Sequence, residues 1–288
     1  MDYHSPASFA EASALAANAT GTTRFLAGGT DVLVQLRSDL VTPDTLIDIK
    51  KINGVRQITQ NADGSWTLGV AVTGAEMSEH PQLGRDWPGV VEAMDLIGST
   101  QVQGRATLTG NLCNGSPAAD SVPAMVAAGV TVTVTGLDGA REVAVEDIPT
   151  GPGKTALAKG EVVSAVNLPA RGEKGGDAYL RFIPRTEMDI AVVGVGVSLR
   201  LDGDVITEAR VSLGAVAPTV LLVEDCAKAI VGSTLDDTAL DALAAAASAA
   251  CNPIDDKRGT IEFRTEVAGV LAKRAAKIAY ARAKGENA

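Results

Sequence analysis

Apolar positions change their spacing several times along the 288 residues, and each change marks an element. Alanines and leucines over 7–19 recur at helical spacing, and Thr20-Gly21 stops the run. Arg24-Phe25-Leu26-Ala27 predicts a short buried strand running into Gly28-Gly29. Val32, Leu33, Leu36 and Leu40 then fall at the spacing of a helix over 31–40. Alternation over 45–49 and 66–70 predicts strands, the second entered through an Asp63-Gly64 turn. Helices are expected over 74–79, 90–97 and 121–128. Strands are expected over 130–135 and 142–145, joined at Asp138-Gly139, and over 161–168, closed by Pro169; 150–154 reads as a loop.

The texture changes after the charged, glycine-rich stretch 171–176, the best boundary candidate. Two long alternating runs, 190–201 and 205–216, flank Asp202-Gly203, a strong two-residue hairpin signal. Helical patterns follow over 224–231, 235–250 and 261–283. With no internal repeat, the pattern predicts an α+β protein in two parts.

Composition then narrows the chemistry. Apolar residues make up 46%, enough for a buried core. The net charge of −10 repels phosphate backbones, and 3% aromatics leaves little for stacking on single strands, so no nucleic-acid partner is expected. Cys113, Cys226 and Cys251 lie far apart with no Cys-x-x-Cys pair, so neither zinc nor an iron–sulfur cluster is expected on this chain. His4 and His80 sit in no triad or metal-ligand spacing, which leaves any hard chemistry to a cofactor. Residues 1–6 lack a basic and apolar leader, and no run approaches the ~18 apolar residues of a membrane span. A cytoplasmic protein without a membrane span is expected.

Two familiar nucleotide motifs fail. Gly151-Pro152-Gly153-Lys154-Thr155 ends like a P-loop, but Ile148 stands where the first glycine belongs and Pro152 removes an amide donor. Gly194-x-Gly196 has no third glycine and lies inside an alternating strand, so a Rossmann fold is not indicated.

Two other segments suit an anion. Leu26-Ala27-Gly28-Gly29-Thr30-Asp31 joins a strand to a helix through a glycine pair, whose amides can turn toward a phosphate. It can equally be a plain turn. Residues 105–112 and 114–121 are dense in small donors. The alternative for them is an irregular loop ending in a helix capped by Asp120 or Ser121.

Taken in order, Ala-Gly-Gly-Thr-Asp at 27–31, Thr-Leu-Thr-Gly-Asn-Leu-Cys-Asn at 107–114 and Ser-Pro-Ala-Ala-Asp-Ser at 116–121 resemble the FAD-binding medium subunit of the molybdenum hydroxylases. That family includes xanthine dehydrogenase and aerobic carbon monoxide dehydrogenase. The resemblance runs nearly end to end. It takes in Leu46-Ile47-Asp48-Ile49 with Ile52, Gly151 to Lys154 with Gly160-Glu161, Arg185-Thr186-Glu187-x-Asp189-Ile190-Ala191, and Asp255 to Thr260 with Phe263-Arg264.

The resemblance implies a two-lobed FAD-binding domain of the vanillyl-alcohol oxidase (PCMH) type over 1–172, with lobes near 1–55 and 56–172. A smaller antiparallel sheet with helices over 177–288 would follow. By similarity, Ala27, Gly28, Gly29, Thr30 and Asp31 with Thr109, Gly110 and Asn111 bind the FAD pyrophosphate. Asp120 fixes the flavin-proximal end through a ribityl hydroxyl, and Arg181 places a positive charge near the ring. Three positions depart from the family. Thr109-Gly110 replaces a common Gly-Gly, and Arg181 is often Lys. Ile190 stands where the carbon monoxide branch usually has Tyr, which leans the chain toward the xanthine dehydrogenase-like branch.

The implied function is electron transfer. The chain would take electrons from an iron–sulfur small subunit, beside a molybdenum-binding large subunit, and pass them to NAD or a quinone-linked acceptor. The molybdenum cofactor and 2Fe-2S clusters would sit in those partners, within a heterotrimer or a dimer of heterotrimers. No residue of this chain is expected to be catalytic by itself or to hold a metal. A self-sufficient flavin reductase or oxidase, like the cell-wall enolpyruvyl reductase that shares the domain, and a flavin-free scaffold are the alternatives.

Overall fold

The computed structural model describes residues 1–286; the end of the expected C-terminal part, 287–288, lies outside the described residues. The first lobe is a three-stranded parallel sheet in the order β1–β3–β2, with β1 Asp2–His4, β2 Thr23–Leu26 and β3 Thr45–Asp48. Parallel strands need crossovers. Helix α1 (Phe9–Asn18) lies between β1 and β2, and α2 (Val32–Arg37) lies between β2 and β3. Ser8 caps α1 by accepting from the Glu11 amide at 3.1 Å, and Ala12, Ser13 and Ala16 form its buried face. Helix α2 ends at Arg37 rather than at Leu40, because Asp39 turns to a φ of 54°.

The second lobe carries a five-stranded antiparallel sheet, built from β4 (Ile58–Gln60), β5 (Trp66–Gly69), β6 (Thr131–Gly136), β7 (Gly139–Ala144) and, later in the chain, β10 (Val162–Leu168). Their order is β4–β5–β10–β6–β7. Six short helices lie between β5 and β6: α3 (Gly74–Ser78), α4 (Pro81–Asp86), α5 (Pro88–Asp95), α6 (Thr100–Gln103), α7 (Leu108–Cys113) and α8 (Ser121–Ala127). Trp66, Leu68, Val132, Val134 and Val166 from the sheet close on Met77, Leu83, Met94 and Met125 from the helices. His80 has a structural task here. Its Nδ1 accepts from the Leu83 amide at 3.2 Å to cap α4, and its ring stands edge-on to Trp66. The expected loop at 150–154 is a small hairpin of β8 (Pro149–Gly151) and β9 (Lys154–Thr155), turning at Gly153 with φ +70°.

The C-terminal part is a four-stranded antiparallel sheet: β11 (Gly175–Phe182), β12 (Val193–Asp202), β13 (Val205–Gly214) and β14 (Leu221–Leu222). Helices α9 (Glu224–Ile230), α10 (Asp237–Ala249) and α11 (Ile261–Ala283) share its apolar core. Helix α8 of the second lobe packs on β12 and β13. A Cβ on Gly196 would lie 2.5 Å from the Pro123 carbonyl oxygen, and one on Gly214 would lie 2.5 Å from the Pro123 ring. Gly196, half of the failed dinucleotide fingerprint, is there to let a helix touch a sheet.

Strand β11 alternates in a way its sequence hides. Ala178, Leu180 and Phe182 join the C-terminal core. Asp177, Tyr179 and Arg181 point to the second lobe instead: Asp177 accepts from the Gly89 amide at 2.8 Å, and the other two bond Asp120. Burial pushes the Asp177 carboxyl up to about 7, against the pull of Arg171 and Arg282. An unfolded aspartate titrates near ~3.9, so the native state binds this proton more tightly. Its contribution to stability is full below the unfolded value and is lost as pH rises to about 7. Asp177→Asn keeps an acceptor for Gly89 and removes the titration. The variant's stability relative to wild type is expected to rise between pH 5 and pH 7, by no more than ~1.4 kcal/mol per pH unit, and then level off. Thermal melts across that range read it, and a difference flat with pH would mean that Asp177 stays ionised throughout.

Candidate cofactor site

A cavity of about 570 Å³ opens between the two N-terminal lobes, inside the ~300–1,000 Å³ range of small-molecule sites. Three walls line it: the loop from Ala27 to Asp31, the helical turn Thr109-Gly110-Asn111, and a stretch from Gly153 and Thr155 through 157–163. The first two walls are the segments singled out from the sequence.

The first wall is set by close backbone approach. A Cβ on Gly28 would lie 1.9 Å from the Arg105 carbonyl oxygen, so only glycine lets the loop rest on residues 105–106. The Arg105 Nε then donates to the Gly28 carbonyl at 3.1 Å. Gly29 serves differently, with φ at +85°, and its missing Cβ would face Leu26 and Leu33 beneath the loop. Among the described residues, the amides of Gly28, Gly29, Thr30 and Asp31 donate to no acceptor in the chain.

The second wall is helical where an irregular loop was the alternative. Thr107 caps α7 by accepting from the Gly110 amide at 2.9 Å. Thr109 is buried, and its Oγ1 has no partner; Thr23, also lining the cavity, carries a second orphaned hydroxyl. The Asn111 Oδ1 accepts from the Ser121 amide at 3.1 Å and hydroxyl at 2.7 Å, which holds the side chain in place. Gln35 of α2 donates to Asn114 at 3.1 Å and ties the two walls together.

The third wall was missed as a site. Its sequence signals are Gly153 and Gly160-Glu161, both within segments that resemble the family; Gly160 lies at φ +88°, and a Cβ there would lie 2.8 Å from the Ala17 side chain. Gly115 brings α7 against the β8–β9 turn, where the Gly153 amide donates to the Gly115 carbonyl at 2.9 Å. Arg24 and Lys159 supply positive charge to the lining, beside Asp31 and Glu161.

Asp120 and Arg181 lie outside the lining and are bonded to each other, Arg181 Nη1 to Asp120 Oδ2 at 2.7 Å, with both side chains buried. Tyr179 donates to the other carboxylate oxygen at 3.0 Å. Asp120 holds the cap position of α8 without capping it. Burial pushes its carboxyl up to about 6, while Arg181 and Tyr179 pull it down.

The two late signature segments meet in space. Arg185 and Arg258 both donate to Asp189, at 3.1 and 3.3 Å. The Arg185 hydrogen bond and the Ile190 amide hold the Asp189 carboxyl down to about 2. The Met188 amide donates to the Gly98 carbonyl at 3.1 Å, next to Ile97 in the cavity wall. The brace therefore reaches one end of the cavity.

Free amides, orphaned hydroxyls and a glycine loop that touches the opposite wall at Gly28 suit an anionic ligand such as a dinucleotide. Comparison with known proteins agrees. Residues 1–171 match the family described as the FAD binding domain in molybdopterin dehydrogenase, and 178–279 match the CO dehydrogenase flavoprotein C-terminal domain. The chain belongs to this family.

The medium chain of carbon monoxide dehydrogenase from Afipia carboxidovorans is 35% identical, over 99% of this chain and 98% of that one. The putative xanthine dehydrogenase FAD-binding subunit of Escherichia coli is 30% identical, over 99% and 97%. A solved Cu,Mo-CO dehydrogenase, in its cyanide-inactivated form, superposes with a TM-score of 0.93 at 34% identity, covering 98% of both chains. The molybdopterin dehydrogenase flavoprotein fold is thus an FAD-binding domain followed by an α+β C-terminal domain, and the chain is an oxidoreductase subunit. Identity is higher to the carbon monoxide dehydrogenase chain than to the xanthine dehydrogenase subunit, opposite to the lean taken from Ile190. No helix among the described residues is long and apolar enough to cross a membrane.

Proposed function

We propose that this chain is the electron-transfer flavoprotein of a cytoplasmic molybdenum hydroxylase complex. It takes electrons from an iron–sulfur small subunit, beside a molybdenum-binding large subunit, and passes them to NAD or a quinone-linked acceptor. The complex is a heterotrimer or a dimer of heterotrimers, with residues 1–172 holding the cofactor and the C-terminal domain, described from 177 to 286, packed behind it. The observation that carries the reading is the cavity itself, where the 27–31 loop presents free amides opposite the orphaned Thr109 hydroxyl.

When bound, FAD supplies a redox group able to exchange electrons with both one- and two-electron partners. The chain's residues hold it and keep water away. Amides from Gly28 to Asp31 and the Thr109 hydroxyl would hold the pyrophosphate, and Gly110 keeps the turn bare of side chain. Ser121 takes the Asn111 Oδ1, and the Asn111 side-chain amide group is left as a donor for the pyrophosphate. Asp120 serves the flavin-proximal end, and the Arg181 charge, shared with Asp120, favours negative charge nearby. The three cysteines are free, and burial pushes the Cys113 and Cys226 thiols up to about 12 and that of Cys251 to about 11, which keeps them protonated and inert.

Removing FAD from the native complex tests this. The deflavo complex is expected to retain substrate-dependent reduction of its clusters and to lose acceptor reduction, with recovery on adding FAD at one per chain. Undiminished acceptor reduction without flavin would sink the reading and favour a scaffold. Substrate turnover by the FAD-loaded chain alone would favour the self-sufficient enzyme.

A further inference from the structure

Tyr179 is buried and donates its hydroxyl proton to Asp120 Oδ1 at 3.0 Å. The room for that hydroxyl comes from Gly194 on the neighbouring strand, where a Cβ would lie 2.5 Å from it. Arg181, two residues along the same face of β11, takes Asp120 Oδ2. Both carboxylate oxygens are therefore held by the C-terminal sheet. Aspartate is among the strongest helix caps, yet Asp120 makes no bond to α8 although it occupies the cap position. The Ser121 amide and hydroxyl go to Asn111 instead, across the gap to the cavity helix α7.

We propose that Tyr179 is a positioning residue for the cofactor site: by holding Asp120 toward β11, its hydroxyl leaves Ser121 to Asn111 and so fixes the cavity wall at Thr109–Asn111. This rests on the reading that Asp120 and that wall serve FAD. Loss of the hydroxyl leaves one buried carboxylate oxygen without a donor, a costly state. Pro123, third in α8, has no amide to offer, so the freed oxygen competes for the amides of Ser121 and Val122. Where it takes the Ser121 amide, Asn111 is left with the Ser121 hydroxyl alone, and the wall loosens.

The test is Tyr179→Phe in the full chain, by FAD titration of the apo-protein and by the flavin midpoint potential. FAD is expected to bind roughly tenfold more weakly, the weight of one hydrogen bond to a charged group, with a shifted potential. The double variant with Asp120→Asn is expected to be no weaker than Asp120→Asn alone, since the hydroxyl acts only through that carboxylate. If Asp120→Asn weakens FAD while Tyr179→Phe binds it at wild-type affinity and potential, the positioning role is wrong and the Asp120 reading stands. If neither variant changes FAD, the Asp120 reading falls and takes the proposal with it. Additive losses would mean that the hydroxyl acts by another route, which also overturns it. A lower melting temperature with unchanged affinity and potential would show a structural role only. Should Tyr179→Phe fail to fold, Ser121→Ala probes the other end of the same chain of bonds and is expected to weaken FAD about threefold; wild-type affinity there would overturn the proposal.

Discussion

Alanine at position 28 is expected to leave the chain folded and strip it of FAD. The new Cβ would meet the Arg105 carbonyl oxygen at 1.9 Å and its carbon at 2.8 Å, with the Ala106 Cα at 3.4 Å behind them. All three are backbone atoms, so no side chain can swing aside. The 27–31 loop has to withdraw from residues 105–106, which lead directly into the turn at Thr109–Asn111. The two donor walls then part, and a pyrophosphate cannot reach both. Overpacking of this kind costs about 1–3 kcal/mol, within the reserve of a folded domain, but the loss of converging donors is expected to weaken FAD at least ~100-fold. Flavin absorbance after gel filtration, with a cooperative melt as control, measures both. Stoichiometric FAD in a folded Gly28→Ala protein would remove this loop from the site.

The largest loss of stability is expected from Arg264→Met. Arg264 is buried, donates to the Val192 carbonyl at 2.7 Å and to Asp256 at 2.6 Å, and reaches the Ala215 and Gly259 carbonyls at 3.4 Å. Ala215 is held at φ +63°, a conformation that costs an alanine energy. Its amide donates to Pro117 while Arg264 reaches its carbonyl, so the strain is clamped from both sides. Methionine fills much of the volume but takes the donor from the Val192 and Ala215 carbonyls, while Asp256 keeps the Arg258 and Gly259 amides. Unsatisfied buried groups cost ~1–3 kcal/mol each, which puts the loss near ~4 kcal/mol and lowers Tm by about 10 °C. Lysine is not expected to rescue it, since one ammonium cannot replace a guanidinium fork. A melt within a degree or two of wild type would show that the loop at 254–260 is held by other means.

Much of this was legible in the residues. The helix at 261–283 has its observed ends in the sequence, because its small and apolar residues keep helical spacing; the structure adds Thr260 as its cap. The hairpin at Asp202-Gly203 and its two strands followed from alternation and a turn pair. Both leading cavity walls were found because glycines and small donors have few reasons to cluster. Other features lay out of reach. Strand β11 carries Asp177, Tyr179 and Arg181 on a face buried against another domain, so it lacks the apolar alternation that marks a strand. Helix α7 contains Gly110 and Asn111, poor helix formers that tertiary contacts override. The Asp120–Arg181 pair joins residues 61 positions apart, and no local pattern announces such a partner.

Gly196 and Gly214 seat Pro123 so close to the C-terminal sheet that α8 has no plane on which to slide. Arg210 adds two hydrogen bonds to the Val126 carbonyl, and Arg282 pairs with Glu92. The second lobe and the sheet therefore have neither hinge nor shear surface between them. The first lobe joins the same body: α1 packs on β6 and β10, Ala12, Ala16, Ile47 and Ile49 share the second lobe's core, and Arg105–Gly28 and Gln35–Asn114 bond across the cavity. A block that does not flex also keeps tunnelling distances constant between whatever redox groups are docked on it.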